Sequence, residues 1–180
     1  MLALTANEVA ALTGLDERVV RKDVEKGVVQ TTTPPRFGEE ALVYFSATAA
    51  FALRLPTAER RRLYDMVSRA VEANEPRIEL GAGWTLDVAA IEAGLQARLA
   101  AFEEWKAHLV VDERILGGEP VFPDTRLTVR HVGEMLRRGA EAAEILEDYP
   151  YLTEQDLAFA RLYTTAYPRI GRPRAQAAPR

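Results

Sequence analysis

Cysteine is absent from the 180 residues, and histidine is nearly so, with only His108 and His131. These absences exclude a disulfide framework, a thiolate zinc site and a cysteine nucleophile. They also leave too little for a histidine metal centre or a Ser-His-Asp triad. No apolar run approaches the ~18 residues that cross a bilayer, and the start is not that of a signal peptide. A soluble cytoplasmic protein with no membrane partner is therefore expected. Basic charge is not in excess either. A net charge of −4 and a pI near 5.4 exclude a uniformly basic coat for nucleic acid, though not a local basic face. The P-loop, the dinucleotide glycine fingerprint and HExxH are missing as well. No enzyme is expected, no cofactor is assigned, and no catalytic or metal site is assigned.

What is present suffices for a folded core: 48% of residues are apolar and 28% charged. The expected fold is mainly α. Residues 1–55 read as a winged helix-turn-helix, 56–107 as a helical connector with a small β-hairpin, 108–167 as a three-helix unit resembling a helix-turn-helix, and 168–180 as a basic tail.

Thr5-x-x-Glu8 has the pattern of a capping box, in which hydroxyl and carboxylate each satisfy a free amide at a helix start. Val9 and Leu12 face inward and Gly14 ends this helix. Asp16 is placed to cap a second helix, closed by Gly27. Leu15, Val19, Val20 and Val24 form its apolar side, and Arg18, Arg21 and Lys22 lie three or four apart on the opposite face. Val28 to Gln30 and Leu42 to Phe45 are expected to be the strands of a wing. Pro34 and Pro35 lie in the intervening loop, since proline cannot donate to a ladder, and Arg36 is the cation at its tip. Ser46 is expected to cap a further short helix. In such a unit the first helix braces the second in a major groove, where Arg18, Arg21 and Lys22 reach phosphates or base edges while Arg36 meets the adjacent backbone. The opening Leu4-Thr5-Ala6-Asn7-Glu8-Val9-Ala10 with Thr13-Gly14-Leu15 resembles that of MerR-type DNA-binding domains. Six basic and seven acidic residues precede position 56. A monomer should therefore bind weakly, because affinity rests on phosphate neutralisation, and a dimer reading two half-sites would compensate.

Thr57 is expected to cap the next helix. Arg60, Arg61 and Arg62 fan across ~200° of it, so they are read as solvated charges paired with Glu59 and Asp65. Arg77 to Leu80 and Trp84 to Leu86, joined by Gly81-Ala82-Gly83, read as a hairpin. Asp87 caps a longer helix reaching Trp105. Trp84 and Trp105 are expected to be core anchors.

Gly117-Gly118-Glu119-Pro120 and Pro123-Asp124-Thr125-Arg126 read as turns. Thr128 caps a helix bearing Val129, Val132 and Leu136 and ended by Gly139. A second helix carries Ile145 and Leu146 to Tyr149-Pro150, and Thr153-x-x-Asp156 caps a third. Ile115 to Phe122, Thr125 to Val129, Gly139 and Glu144 to Thr153 resemble the family called domain of unknown function 433, across roughly Val111 to Ala166. Asp124 stands where that family usually has glycine, and Asp tolerates a left-handed backbone. Thr125 and Arg126 are expected to tie their turn to a helix end. The last helix is apolar on more than one face, so homodimerisation through this unit is expected.

With the N-terminal unit, this arrangement is similar to VapB-type antitoxins. The resemblance implies an oligomer that binds operator DNA and neutralises a PIN-type ribonuclease toxin. Such nucleases hold Mg²⁺ with carboxylates, and a guanidinium fits a carboxylate with two hydrogen bonds. Six acidic and no basic residues occupy 139–160, whereas five arginines and no acid occupy 161–180. Tyr167, Arg169, Arg172 and Arg174 are accordingly the expected toxin contacts. Two alternatives stay open: a MerR-like regulator without a toxin partner, sensing a ligand near Trp84 and Trp105, and an adaptor that binds protein but no DNA.

Overall fold

The computed structural model describes residues 2–51 and 55–168. The described residues form eight α-helices and one antiparallel hairpin: α1 (Ala6–Thr13), α2 (Glu17–Glu25), α3 (Glu39–Phe51), α4 (Thr57–Ala73), β1 (Arg77–Gly81), β2 (Trp84–Asp87), α5 (Val88–Ala107), α6 (Val129–Arg137), α7 (Ala142–Asp148) and α8 (Glu154–Ala166). The fold is mainly α, as the sequence implies. Polar residues start most helices. Thr5 and Thr153 complete capping boxes with Glu8 and Asp156, and Asp16, Asp87 and Thr128 each accept an amide of the first turn. Such caps contribute about 1 kcal/mol each. Thr57 differs by one position: it is the first helical residue of α4, and Pro56 precedes it.

The expected wing is not formed among the described residues. Val28 and Val29 do not build a strand; their amides fold back onto the carbonyl of Asp23. Leu42 to Phe45 lie in α3, and Ser46 sits inside that helix rather than at its cap. The reason is burial on every side. Ala41, Leu42, Val43, Tyr44 and Phe45 are all buried in succession, because α3 packs on α1, α4 and α5 at once. A short apolar run of this kind has no period to distinguish strand from helix. Arg36 therefore lies in the loop before α3, not at a hairpin tip. Leu4 and Phe37 exchange backbone hydrogen bonds of 3.0 and 2.9 Å, which pin that loop to the chain start.

The β1–β2 hairpin forms where expected, with Ile78 opposite Leu86 and their side chains buried. Two hydrophobic cores result. The first gathers α1 to α4, the hairpin and the front of α5, with Tyr44 edge-on to Tyr64 at 5.5 Å. The second gathers Phe102 and Trp105 from the end of α5 with α6, α7 and α8. Phe159 of α8 packs on Trp105 at 5.4 Å between ring centres. Leu162 of α8 touches both cores, and α1 packs directly on α8. The three short helices of the last unit are linked by tight turns. Asp124 adopts the left-handed backbone (φ 57°) that its glycine-like place requires.

Candidate nucleic-acid interface

The α1–α2 pair turns at Gly14 (φ 74°), a left-handed position that a side chain would strain. Asp16 then accepts the Arg18 amide at 2.8 Å and starts α2. At 100° per residue, Arg18, Arg21 and Lys22 share one stripe, and all three are exposed. Val20 and Asp23 face the opposite way and are buried. Val19, expected on the apolar side, is 40% exposed and joins the outer face. Arg21 forms an ion pair with Glu17 one turn back. Arg18, Lys22 and Arg36 are exposed and make no ion pair among the described residues. The outer face of α2 thus carries Arg18, Arg21, Lys22 and Lys26 against Glu17 and Glu25, an excess of cations in an acidic protein.

Beneath this face lies a buried polar cluster that the sequence did not reveal. Asp23 is 2% exposed. One of its oxygens accepts the Tyr44 hydroxyl at 2.8 Å, and the other is paired with Arg60. Burial pushes the Tyr44 phenol well above the ordinary tyrosine range, and the Asp23 carboxylate beside it adds to the rise. Arg61 donates to the carbonyls of Lys26 and Gly27 at 2.9 and 3.0 Å. A guanidinium there opposes the negative end of the α2 dipole. Arg60 is therefore not the solvated charge expected of it, whereas Arg61 and Arg62 are exposed as expected. Neither Arg60 nor Arg61 pairs with Glu59 or Asp65: Arg60 holds α2 from beneath and Arg61 holds its C-terminal end from the exposed side.

Trp105 is a core anchor as expected, its indole donating to Asp156 at 2.8 Å. Trp84 is not. It is 60% exposed and lines an apolar groove of about 450 Å³ with Leu55, Leu63, Met66 and Leu80. Trp84 and Leu86 share a strand face by period-2 alternation, but Trp84 stands at the turn end of β2, opposite Gly81 where the register is irregular, and only Leu86 reaches the core.

At the other end, Tyr167 is half-buried, its ring tilted against that of Tyr163 at 4.9 Å between centres, with the Lys106 ammonium 5.6 Å from its ring centre. Burial raises its hydroxyl pKa; Lys106 opposes the rise and Glu8 of α1 adds to it. Arg130, which the sequence did not single out, donates to the Tyr167 carbonyl at 2.7 Å and to Glu119 at 3.3 Å. Arg126 instead is exposed and makes no side-chain hydrogen bond among the described residues. Thr125 closes its own turn, donating to Phe122 and accepting from Leu127. Arg169, Arg172 and Arg174 lie outside the described residues. Among the described residues no group of three or more His, Asp or Glu side chains is placed to hold a metal ion. No helix there is long and apolar enough to cross a membrane.

Neither a curated protein nor a solved structure matches the chain. A family model does match, over residues 109–164, and its description is "Protein of unknown function (DUF433)". The match covers the second core apart from its α5 residues, from the turn after α5 into the last turn of α8, and agrees with the motifs read there. Residues 109–164 are therefore similar to this family, whose description assigns no activity.

Proposed function

We propose that this chain is an antitoxin of a toxin–antitoxin pair, which binds operator DNA through α2 as an oligomer and neutralises a PIN-type ribonuclease. The observation that carries the DNA half is the outward basic stripe Arg18, Arg21 and Lys22, on a helix whose inner face is bonded to α3 and α4. An exposed, rigidly seated basic helix following a short bracing helix is the part that enters a major groove in helix-turn-helix proteins. The toxin half is supported by the resemblance and by the arginines Arg169, Arg172 and Arg174. A permanently charged guanidinium can pair with the acids of a Mg²⁺ site and displace the metal or its RNA. Residue Tyr167, held by Arg130, is the anchor from which that segment departs.

The experiment has two arms. A tagged pulldown from the native host tests the nuclease, and a salt-titrated shift on the DNA upstream of the gene tests the operator. A co-purifying acidic-site nuclease and a steep negative log–log salt slope support the reading. A flat slope supports the adaptor instead. Replacing Arg169, Arg172 and Arg174 by alanine should abolish rescue of cells expressing the toxin; undiminished growth removes the tail from the mechanism.

A second reading, a regulator that senses an apolar ligand and has no toxin partner, is favoured by the groove beneath Trp84. It requires that a ligand change Trp84 fluorescence and operator affinity together.

A further inference from the structure

We propose that Asp23, Tyr44 and Arg60 are positioning residues for α2: they set the rotation at which its basic face is displayed, and the fold does not need them to stand. The inference rests on the reading of α2 as the DNA-contacting helix.

Three helices meet at one carboxylate. Asp23 comes from α2, Tyr44 from α3 and Arg60 from α4, and the two contacts use separate oxygens of Asp23. The main chain of Asp23 is occupied as well, since its carbonyl takes the amides of Val28 and Val29 at 2.8 and 3.3 Å. Arg61, the next residue of α4, takes the two carbonyls after α2. Consecutive arginines of α4 thus grip α2 at its inner face and at its C-terminal end.

A fully apolar contact would be the cheaper way to seat this helix. Removing two charges from water costs several kcal/mol per ion, and well-packed apolar replacements of buried ion pairs are often neutral or stabilising. The surroundings could supply such packing, because Val20, Val67 and Tyr64 are buried nearby in the same core. Apolar contacts are non-directional, however. They oppose withdrawal of a helix more than its rotation. A shift by one residue position turns a face by about 100°, enough to carry Arg18, Arg21 and Lys22 off a groove. Two directional bonds to one buried carboxylate forbid that rotation, because it would carry Asp23 away from both partners.

The test uses the full chain with Asp23→Leu, Tyr44→Phe and Arg60→Met combined, alongside Tyr44→Phe alone. Thermal unfolding, hydrogen exchange of the α2 amides and affinity for a duplex from upstream of the gene are measured. The triple variant is expected to fold and to melt near the parent temperature. Its α2 amides should lose protection by about tenfold relative to those of α3, and its duplex affinity should fall by about tenfold or more. Tyr44→Phe leaves one buried Asp23 oxygen without its partner, so it should loosen α2 less than the triple variant while lowering the neutral-pH melting temperature by a few degrees. A folded triple variant with parental α2 exchange and parental affinity overturns the proposal. Failure of the triple variant to fold, or of Tyr44→Phe to fold, also overturns it, since the cluster would then be holding the fold. A parent chain that ignores the duplex refutes the DNA reading alone; the α2 exchange comparison still decides the positioning.

Discussion

Gly133 of α6 faces Thr164 of α8 with no room for a side chain between them. A Cβ at Gly133 would overlap the Thr164 hydroxyl and lie 2.5 Å from the Ala160 carbonyl oxygen. Backbone therefore meets backbone where the two helices cross. Gly133→Ala gains about 1 kcal/mol of helix propensity but must push α8 away. We expect a net destabilisation of about 1–3 kcal/mol, read as a lower urea midpoint. A midpoint at or above that of the parent would show that the helices do not approach so closely.

Asp156 serves two structures at once. Its Oδ2 accepts the amide and hydroxyl of Thr153 at the start of α8, and its Oδ1 accepts the buried indole of Trp105. Thr153→Ala should cost about 1 kcal/mol, the ordinary loss of a cap. Asp156→Ala should cost about 2–3 kcal/mol, because it also strands a buried donor. Equal losses in the two variants, measured by denaturant unfolding, would show that the indole bond contributes nothing.

Tyr44 makes stability fall on the alkaline side. Its phenol pKa is raised in the folded state by burial first and by Asp23 second. A raised pKa contributes stability that is fully present below the unfolded value. That contribution declines as pH climbs above 10.0, the ordinary tyrosine value, because the unfolded chain then releases a proton that the folded chain retains. The parent should lose stability above pH ~10, and Tyr44→Phe should lose less over the same range. Parallel curves for the two would mean that Tyr44 ionises freely in the folded protein.

Glu17 restrains Arg21 on the outer face of α2. The pair is solvent-exposed, so its removal should change stability by less than about 1 kcal/mol. Glu17→Gln frees the guanidinium and removes a negative charge from the face proposed to meet phosphate. Duplex affinity should rise, and the log–log salt slope should steepen by up to about one unit. Lys22→Ala should act in the opposite sense. If both variants bind like the parent, α2 is not the contacting helix.

Local chemistry explains which elements were legible. Caps depend on a side chain and an amide within three residues, so Thr5, Asp16, Asp87, Thr128 and Thr153 announce their helices in any context. The hairpin announces itself likewise, since Gly81 and Gly83 supply the left-handed turn backbone and Ile78 and Leu86 alternate with exposed neighbours. Arg18, Arg21 and Lys22 could be placed outward by spacing alone. Arg36 is exposed, but in the loop before α3, because the run from Leu42 to Phe45 is helical and no wing forms among the described residues.

The sequence by itself determined the mainly helical fold, the ends of most helices and the outward basic stripe, because each follows from interactions spanning a few residues. Only the tertiary structure decided that Leu42 to Phe45 are helical, that Trp84 faces outward and that Arg60 turns inward. Those outcomes depend on partners far along the chain: Asp23 lies 37 residues from Arg60, and no local pattern in an arginine run tells whether a carboxylate or water will meet it.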